Sequence, residues 1–512
     1  MGEIDPVCEP VRRSKRRLHP RSCVLRDGRL AASSEPVNVS ASFMDFVVWV
    51  VSDTSCAAGR RGDGMTGADC LFGGLPDQAA PPAAGRGMPR LRQPERNQPG
   101  WQIAALDDLV ARDHPVRAVW AFVGRLDLRD LHDAVKAREG VPGQAPPVPE
   151  LMLALWLWAT VDGVGSARQL NKLCQEHLAY RWLCGGVSMN YHTLADFRTA
   201  HGAVLERLLA DGVAALVAEG LVALDVLAQD GMRVRAAAGA GSFRRRQRLE
   251  ELAVAAKARV ERLRTELASD PAVGNRRQQA AQQRAARERE ERVKAALDRM
   301  PELEAERARR AKKNKAQVAK QKEPRASTTD AAARSMKMAD GGFRPAYNLQ
   351  IVSVPQRQII LAVDVDTTGS DHGLVRRGLE QLAAGDIEPA DYLVDGGFAK
   401  NEDIEWAHQR GTRLWCPAMR NKHGTQPYAP RPEDGPGVAD WRQRMASERS
   451  TVMYKQRCTA ECPNADARRM GLTRLLVRGK EKVRTVLLWF ALAHNMLRAF
   501  ALRRAAAAAA AT

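Results

Sequence analysis

The sequence predicts an α/β protein: a region of strands alternating with helices, an all-helical region before it, and a charged helical insert within it. Three observations carry this prediction. Apolar residues recur at helical spacing over residues 104–219, strand-like alternation begins after Gly220, and a long charged run separates the first strand from the next. A chain of 512 residues has room for about two to four domains.

The composition is typical of a foldable protein with a polyanionic partner. Hydrophobic residues make up 45% and charged residues 27% of the chain. No apolar run reaches the ~18–20 residues of a membrane span, and no apolar segment follows the basic N-terminal residues as in an export signal. Nine scattered cysteines favour reduced thiols over a disulfide scaffold. The net charge of +19 indicates nucleic acid as the commonest such partner. We expect a cytoplasmic protein.

Residues 1–87 differ in texture from the rest of the chain. They are rich in Gly, Pro, Ser and Arg and show weak periodicity. We expect a disordered extension, or a start codon assigned too early, with regular patterning beginning after Met88. Four of the cysteines lie here without a CxxC pair, which gives a zinc site no support.

Helical patterning fills the following region, residues 88–219. The apolar segment Leu151–Val161 predicts a buried helix, and Pro142–Pro149 before it predicts a linker. Ser166 is expected to cap a helix that runs to about Cys184, and Thr193 the next one. Two helices joined by a short Gly-containing turn fit a helix-turn-helix, although most such pairs are simply packed helices.

The charged insert is residues 244–325, with 25 Lys and Arg against 13 Asp and Glu, a net charge of +12. Apolar residues recur in it on a helical stripe: Leu249, Leu252, Val260, Leu263 and Leu267. This pattern predicts ordered helix. Two interpretations are open and compatible, a solvated helical arm laced with salt bridges, or an arm that follows DNA phosphates.

The remaining chain alternates strands and helices. The expected elements are strand Leu221–Arg235, strands Tyr347–Ser353 and Gln358–Asp366 as a hairpin, helix Leu374–Ala384, strand Tyr392–Val394, helix Glu402–Gln409, strand Thr412–Cys416, a helix from Val483 to about Arg504, and a frayed alanine tail.

Familiar catalytic motifs are missing from the sequence, which contains no GxxxxGK[ST], GxSxG or HExxH. Two acidic residues at expected strand ends remain as candidates. Asp230 ends one apolar strand face, and Asp395 follows the strand Tyr392–Val394 and precedes Gly396-Gly397. Taken singly, each is either an ordinary strand-end or turn aspartate or a placed metal ligand.

A third candidate element is a set of residues at the spacing of one helix face: Tyr454, Arg457, Glu461 and Arg468. On a continuous helix they fall within an arc of about 60°. The simpler alternative is a surface ion pair between Arg457 and Glu461, four residues apart. Pro463 requires that the helix either kinks or begins there.

These segments together resemble DDE transposases of bacterial insertion sequences. The resemblance lies in residues 230–236, 338–348 and 394–398, and runs from about Met88 to Arg504. Tyr454, Arg457 and Glu461 are similar to the family's Y-x2-R-x3-E-x6-K signature, with Arg468 where the family commonly has Lys.

The resemblance implies a domain organisation. It predicts an RNase H-like catalytic core, a mixed sheet flanked by helices, in residues 220–243 and 326–504. A helical DNA-end-recognition domain in residues 88–219 would precede it. The basic helical insert of residues 244–325 interrupts the core, and residues 505–512 form the tail.

It also implies a chemistry. Asp230, Asp395 and Glu461 would hold two Mg²⁺ ions, which Mn²⁺ could replace, for metal-dependent DNA strand cleavage and strand transfer. Arg457 and Arg468 would clamp phosphates. The implied partners are inverted-repeat ends and target DNA, bound by a homodimer or larger assembly at the nucleoid.

Alternatives to this hypothesis stay open. The chain could be a DNA-binding protein derived from a transposase that no longer cuts, or a plain metal-dependent nuclease. Rival carboxylates are Asp371, Asp364 and Asp366, whereas Asp340 is expected in the turn before the hairpin. Cys458 and Cys462 could suggest zinc, but without a second pair we expect two small packing residues.

The packing position of Tyr454 is the last implied role. By the family resemblance, its ring would pack against DNA near the cleaved end.

Overall fold

The computed structural model describes residues 105–137, 145–269, 276–313, 323–418 and 426–511. All of them belong to one of the two units into which the chain divides, residues 61–512. The expected disordered extension, residues 1–87, lies outside the described residues.

The described part before the sheet is helical, as expected. Its helices are α1 (Pro115–Val123), α2 (Arg129–Asp133), α3 (Pro149–Val161), α4 (Ala167–Glu176), α5 (Leu178–Cys184), α6 (Tyr191–Ala200) and α7 (Gly202–Ala218). The prediction of a buried α3 is confirmed, since residues 151–159 are all buried.

Two details of this helical region differ from the expectations. Ser166 does cap α4, but the extended backbone of His177 splits the expected single helix in two, and the left-handed Gly185 ends the second of them, α5. The cap of α6 is Asn190, which accepts a hydrogen bond from the backbone of His192, and not Thr193. A helix therefore begins three residues earlier than the sequence suggested, because Asn caps as well as Thr does.

A mixed six-stranded sheet forms the centre of the fold. Its strands are β1 (Val226–Arg235), β4 (Arg334–Lys337), β5 (Phe343–Val354), β6 (Ile359–Asp366), β7 (Asp391–Leu393) and β8 (Arg413–Trp415). The order is β4-β5-β1-β7-β8, and β6 pairs with β5. Strands β4, β1 and β6 each run antiparallel to β5, whereas β7 runs parallel to both β1 and β8. The expected hairpin is β5–β6.

Most of the described residues of the charged insert are helical, as expected. A two-stranded ladder, β2 (Phe243–Arg244) and β3 (Ala326–Ser327), closes its base, and the helices between are α8 (Arg246–Ser269), α9 (Arg276–Asp298) and α10 (Met300–Lys313). We call residues 244–325 the arm. Of the expected stripe, Leu249 and Leu263 are buried.

Polar contacts fix the arm against the sheet. Glu306 of α10 pairs with Arg334 of β4 at 2.6 Å. Arg299 donates from Nη2 to the Thr367 hydroxyl after β6 at 3.0 Å. The arm therefore has a defined position on the sheet.

The remaining helices cover the sheet. They are α11 (Val375–Ala383), α12 (Asn401–Gln409), α13 (Pro436–Ala446), α14 (Glu448–Lys455), a 3-10 turn (Gln456–Glu461), α15 (Cys462–Arg469) and α16 (Lys480–Ala510). The aromatic rings of Tyr392, Trp415 and Phe398 are fully buried between these layers.

The last helix, α16, is a core element. Among the described residues it is the one helix long and apolar enough to cross a membrane by length and composition, but 89% of its most apolar window is buried inside the protein. The expected frayed tail is wrong for residues 505–510, which continue α16. Alanine has the highest helix propensity and simply prolongs an existing helix.

Candidate active site

Asp230 lies in the middle of β1. The sequence had suggested a position at the end of a strand. The strand continues to Arg235 because it pairs with β5, with Asp230 opposite Ile351. The other neighbour, β7, is paired with β1 only as far as Ala228 opposite Leu393. Asp230 therefore sits just beyond the end of the parallel pair.

The same register brings Asp395 to this edge. Asp230 and Asp395 each lie two residues after a member of the Ala228–Leu393 pair, so the two carboxylates meet at the carboxyl end of the parallel strands. The backbone N–H of Gly397 donates to Asp395 Oδ1 at 2.5 Å and fixes the side chain. A Cβ on Gly397 would lie 2.8 Å from that oxygen, so a side chain here would displace the Asp395 carboxylate.

The third element is not one continuous helix. Helix α14 ends at Lys455, a 3-10 turn covers Gln456–Glu461, and α15 begins at Cys462. Pro463 falls in the first turn of α15, where its missing N–H costs nothing. Of the two possibilities at Pro463, a helix therefore begins there.

One guanidinium brings the three acidic residues together. Arg457 Nη2 lies 3.0 Å from Asp230 Oδ1 and 4.0 Å from Asp395 Oδ2, and Nη1 lies 3.2 Å from Glu461 Oε1. Because both aspartate oxygens approach the same nitrogen, they are at most about 7 Å apart. Residues 165 and 66 positions apart in the sequence therefore share one charged centre.

Burial differs across this centre. The side chains of Arg457 and Asp230 are 11% and 14% exposed, whereas those of Asp395 and Glu461 are 44% and 65% exposed. The centre thus has a closed side at Asp230 and a side open to solvent.

The electrostatics follow from that burial. Loss of hydration raises the pKa of Asp230, and the nearby Arg457 guanidinium and the Asn464 amide only partly offset this effect. Burial opposes the charge of Arg457, but Asp230, Tyr454 and Asp395 together raise the pKa of the guanidinium. Arg457 is therefore the positive charge that makes this group of carboxylates tolerable.

Sequence reasoning missed Asn464. Its amide donates from Nδ2 to Asp230 Oδ2 at 2.8 Å, and the residue is buried in the first turn of α15. Its Oδ1 is buried without a hydrogen-bond partner, as is Nε of Arg457. The available signal was its position three residues after Glu461, on the same side of a short helix.

The donor set suits a hard divalent ion. Carboxylate and amide oxygens are the ligands that Mg²⁺ prefers, and Asn464 Oδ1 is a buried oxygen that lacks a partner. As arranged around Arg457, however, no three Asp, Glu, His or Cys side chains in the described ranges stand close enough together to hold an ion. An ion and the Arg457 guanidinium would compete for the same carboxylates.

Two further candidates flank this centre. Tyr454 is half-buried at the end of α14, and burial raises the pKa of its hydroxyl. Arg468 is exposed on α15. Its guanidinium forms no ion pair with any described residue, and the carboxylates of the centre pair with Arg457 instead.

The rival carboxylates are engaged elsewhere. Asp364 and Asp366 of β6 both pair with Arg377 of α11. Asp371 Oδ1 accepts hydrogen bonds from the side-chain amides of Asn348 and Gln350 at 2.7 and 2.8 Å.

Two smaller expectations can be compared with the structure. Asp340 binds the backbone N–H of Gly342 at 3.0 Å, so its predicted place in the turn before β5 is confirmed. Cys462 is half-buried, but Cys458 is exposed, so the expectation of two packing residues is wrong for Cys458. Cys458 lies in the 3-10 turn Gln456–Glu461, whose buried residues are Arg457 and Ala460.

Comparisons with known proteins agree with this assembly of elements. The family model of the transposase DDE domain matches residues 315–496, and that of a second transposase domain (DUF772) matches residues 104–200. No curated protein and no solved structure matches the chain significantly.

The two matches together cover more than half of the chain, and it belongs to the DDE transposases of insertion elements. Transposases of this family cut and rejoin DNA strands, generally with divalent metal ions, and a substrate of DNA implies a cytoplasmic location. The DDE match includes Asp395 and Glu461 but begins after Asp230, on the far side of most of the arm.

Proposed function

We propose that Asp230, Asp395 and Glu461 are the catalytic carboxylates with which this transposase cuts the ends of its element and joins them to target DNA. The observation that carries the proposal is the shared contact of all three with Arg457. The sheet order, with an antiparallel β6-β5-β1 part followed by parallel β7 and β8, supports an RNase H-like core.

The proposed metal site consists of the same residues. Asp230, Asp395 and Glu461 would hold two Mg²⁺ ions, or Mn²⁺ in their place, with Asn464 Oδ1 as a further oxygen. When bound, such ions stabilise the charge on the attacking and leaving oxygens of a phosphodiester.

The protein's own side chains set the direction of approach. Asn464 holds the buried Asp230 in place, while Asp395 and Glu461 face solvent, so DNA reaches the site from their side. Arg457, once exchanged from the carboxylates, presents a planar guanidinium that can bind a phosphate through two hydrogen bonds. Arg468 contacts a neighbouring phosphate, and the ring of Tyr454 packs against the DNA near the cut.

The proposal also assigns a role to each larger part of the chain. Residues 88–219 recognise the element ends, and residues 220–243 with 326–504 form the catalytic core. The arm, which is strongly basic, contributes to DNA affinity. Two ends must be joined, so we expect a homodimer or larger assembly on DNA at the nucleoid.

The test is strand cleavage of a duplex that carries the inverted repeat flanking the coding region. Wild-type protein with 5–10 mM Mg²⁺, or about that concentration of Mn²⁺, should nick the duplex at the repeat boundary. Asp395→Asn, Asp230→Asn and Glu461→Gln should each lower the rate by about 10²-fold or more, since each removes charge from the reacting centre.

A matched control is Asp364→Asn, which neutralises a half-buried carboxylate that pairs with Arg377. It should keep nicking within a few-fold of wild type. Nicking that survives Asp395→Asn would refute the site, and binding without any nicking would favour the inactive DNA-binding protein. Nicking without joining to a target duplex would favour the plain nuclease.

A further inference from the structure

A cavity lies where the arm meets the core. It has a volume of about 290 Å³, and its polar wall consists of Arg289, Arg292, Thr328, Thr329 and Arg478. The first two belong to α9, the threonines follow β3, and Arg478 precedes α16. We call it the junction pocket.

The charge of the junction pocket is one-sided. Three guanidiniums line it, and no carboxylate is among its described lining residues. Arg292 has a weak partner in Glu288, at 3.4 Å along the same helix face. Within the described ranges Arg289 and Arg478 form no ion pair, although Arg478 lies close enough to Asp330 to act on the pKa of that carboxyl. Three guanidiniums outnumber their two carboxylate neighbours, Glu288 and Asp330, so a bound anion would relieve their mutual repulsion.

The hydrogen-bonding groups of the junction pocket suit a tetrahedral anion. Thr328 uses its hydroxyl to donate to the Ser242 carbonyl at 3.3 Å. Thr329 also lines the pocket, and its backbone N–H donates to Ser327 Oγ at 3.1 Å. The volume of the junction pocket exceeds that of a phosphate group together with several water molecules. A water molecule occupies about 30 Å³.

The junction pocket is preformed. Glu306 pairs with Arg334 and Arg299 binds Thr367, so the arm wall and the core wall keep a fixed separation. A site that needs no rearrangement binds with a smaller cost in conformational entropy.

We propose that the junction pocket binds a backbone phosphate of DNA and so fixes the duplex between the arm and the core. The proposal rests on DNA being the substrate, and not on the assignment of the catalytic carboxylates. It gives the arm a specific contact in addition to its diffuse positive charge.

The experiment measures binding of the full chain to a 25-base-pair duplex of mixed sequence at several salt concentrations, without added divalent metal. In the double variant Arg289→Gln, Arg478→Gln, affinity at low salt should fall about tenfold, and the slope of log K against log salt should become less steep by about 0.9, the value of one phosphate contact. Thr329→Val, which leaves every charge in place, should weaken binding about threefold because it removes the hydroxyl.

The matched control is the double variant Arg262→Gln, Arg287→Gln. Like the junction-pocket variant it removes two exposed arginines, but both of these lie in the arm outside the junction pocket. On α9, position 287 lies about 200° around the helix from position 289. A decrease in affinity in this control equal to that in the junction-pocket variant would overturn the proposal, as would unchanged binding by Thr329→Val.

Inorganic phosphate separates the two sources of the anion. At matched ionic strength, it should compete with DNA on the wild-type protein and much less on the Arg289→Gln, Arg478→Gln variant. If the variant loses phosphate binding yet keeps the wild-type salt slope, the junction pocket takes free phosphate and the DNA assignment is wrong.

Unfolding temperatures within about 2 °C of wild type verify that each variant is folded. Absence of nicking in the wild type would refute the catalytic proposal alone, because this assay measures binding.

Discussion

At the scale of single residues, Arg457 has the most consequential position in this protein. It is buried together with Asp230, and its two terminal nitrogens reach Asp395 and Glu461 as well. Removing one member of a buried ion pair leaves an uncompensated charge, which typically costs about 3–5 kcal/mol. A divalent ion could supply the missing positive charge.

We therefore expect Arg457→Gln to lower the unfolding temperature and Mn²⁺ or Mg²⁺ to restore part of the decrease. The metal-induced rise in unfolding temperature should be larger in the variant than in wild type, because the ion no longer competes with the guanidinium. Thermal unfolding with and without 10 mM metal, about the concentration used for nicking, measures this directly.

Arg442→Gln is the control for that measurement. Arg442 pairs with Asp434 at 2.6 Å, and the two side chains are 5% and 3% exposed. This variant should be destabilised to a similar degree but gain nothing from metal. Equal responses of both variants to metal would contradict the proposed metal site.

A second residue with an unusual environment is Asp330. Its Oδ1 accepts hydrogen bonds from the Tyr347 hydroxyl at 2.7 Å and the Gly479 N–H at 3.2 Å, while Oδ2 is buried without a partner. Burial, the largest effect, raises the pKa of this carboxyl above its ordinary value. Folding therefore favours the protonated form.

This shift predicts a pH dependence of stability. Between the unfolded pKa of about 3.9 and the raised folded pKa, the native state binds more protons, so the stability that Asp330 contributes is lost as pH rises through this window. Asp330→Asn keeps an oxygen for both hydrogen bonds and does not titrate. The free energy of unfolding of Asp330→Asn minus that of wild type should therefore increase from about pH 4.5 to about pH 7.5. Over this range wild type loses the stability that Asp330 contributes. Urea unfolding at each pH measures it, and a constant difference would refute the prediction.

At the scale of elements, α16 holds the edge of the sheet. Asn495 accepts from the backbone N–H of Ile360 at 2.8 Å and donates to its carbonyl at 2.7 Å, so the side chain replaces a neighbouring strand for β6. Edge strands with unpaired backbone groups are otherwise open to association with other chains. The helix that closes the fold therefore also ends the sheet.

Asn495→Ala should consequently be strongly destabilising. It leaves a buried N–H and a buried carbonyl of Ile360 without partners, at a cost of about 1–3 kcal/mol for each group. Thermal or urea unfolding would show the decrease in stability, and light scattering would show increased aggregation. Asn401→Ala, at the exposed start of α12, should stay within about 0.5 kcal/mol of wild type. A neutral Asn495→Ala would contradict the role of α16 as an edge cover.

At the scale of the whole molecule, positive charge is concentrated in the arm. It contributes +12 of the net +19, although it contains only residues 244–325. The β2–β3 ladder pairs Arg244 with Ala326 at its base, so the chain enters and leaves the arm at neighbouring positions. A short turn could replace the helices between them without moving the sheet.

Replacement of residues 245–325 by a short Gly-Asn turn should give a folded protein with weaker DNA binding. Removing one phosphate contact reduces the slope of log K against log salt by about 0.9, so the dependence on salt should flatten. Circular dichroism would verify folding, and anisotropy titrations at 50–300 mM NaCl, about the range over which such effects are large, would give the slope. A folded protein with the wild-type slope would show that the arm's charge does not contact DNA.

The sequence by itself determined the order of the elements, the hairpin, the helical arm and the class of protein. These features depend on local periodicity, on charge, and on a spaced signature that includes Asp395, Tyr454, Arg457 and Glu461. The tertiary structure decided what no local pattern encodes. The parallel register of β1 and β7 aligned Asp230 with Asp395, and a 3-10 turn carried Arg457 between the acidic side chains.

The packing of distant elements also explains where the predictions from the sequence were wrong or incomplete. Asp230 lies inside a strand because the pairing of β5 extends past β7, and Asn464 joins Asp230 only after α15 has packed against β1. The junction pocket combines residues from α9, the segment after β3 and the segment before α16, and most of the catalytic core lies in sequence between the last two. Strand register and the approach of distant elements arise from the packing of the whole chain, and periodicity in a short window carries no information about them.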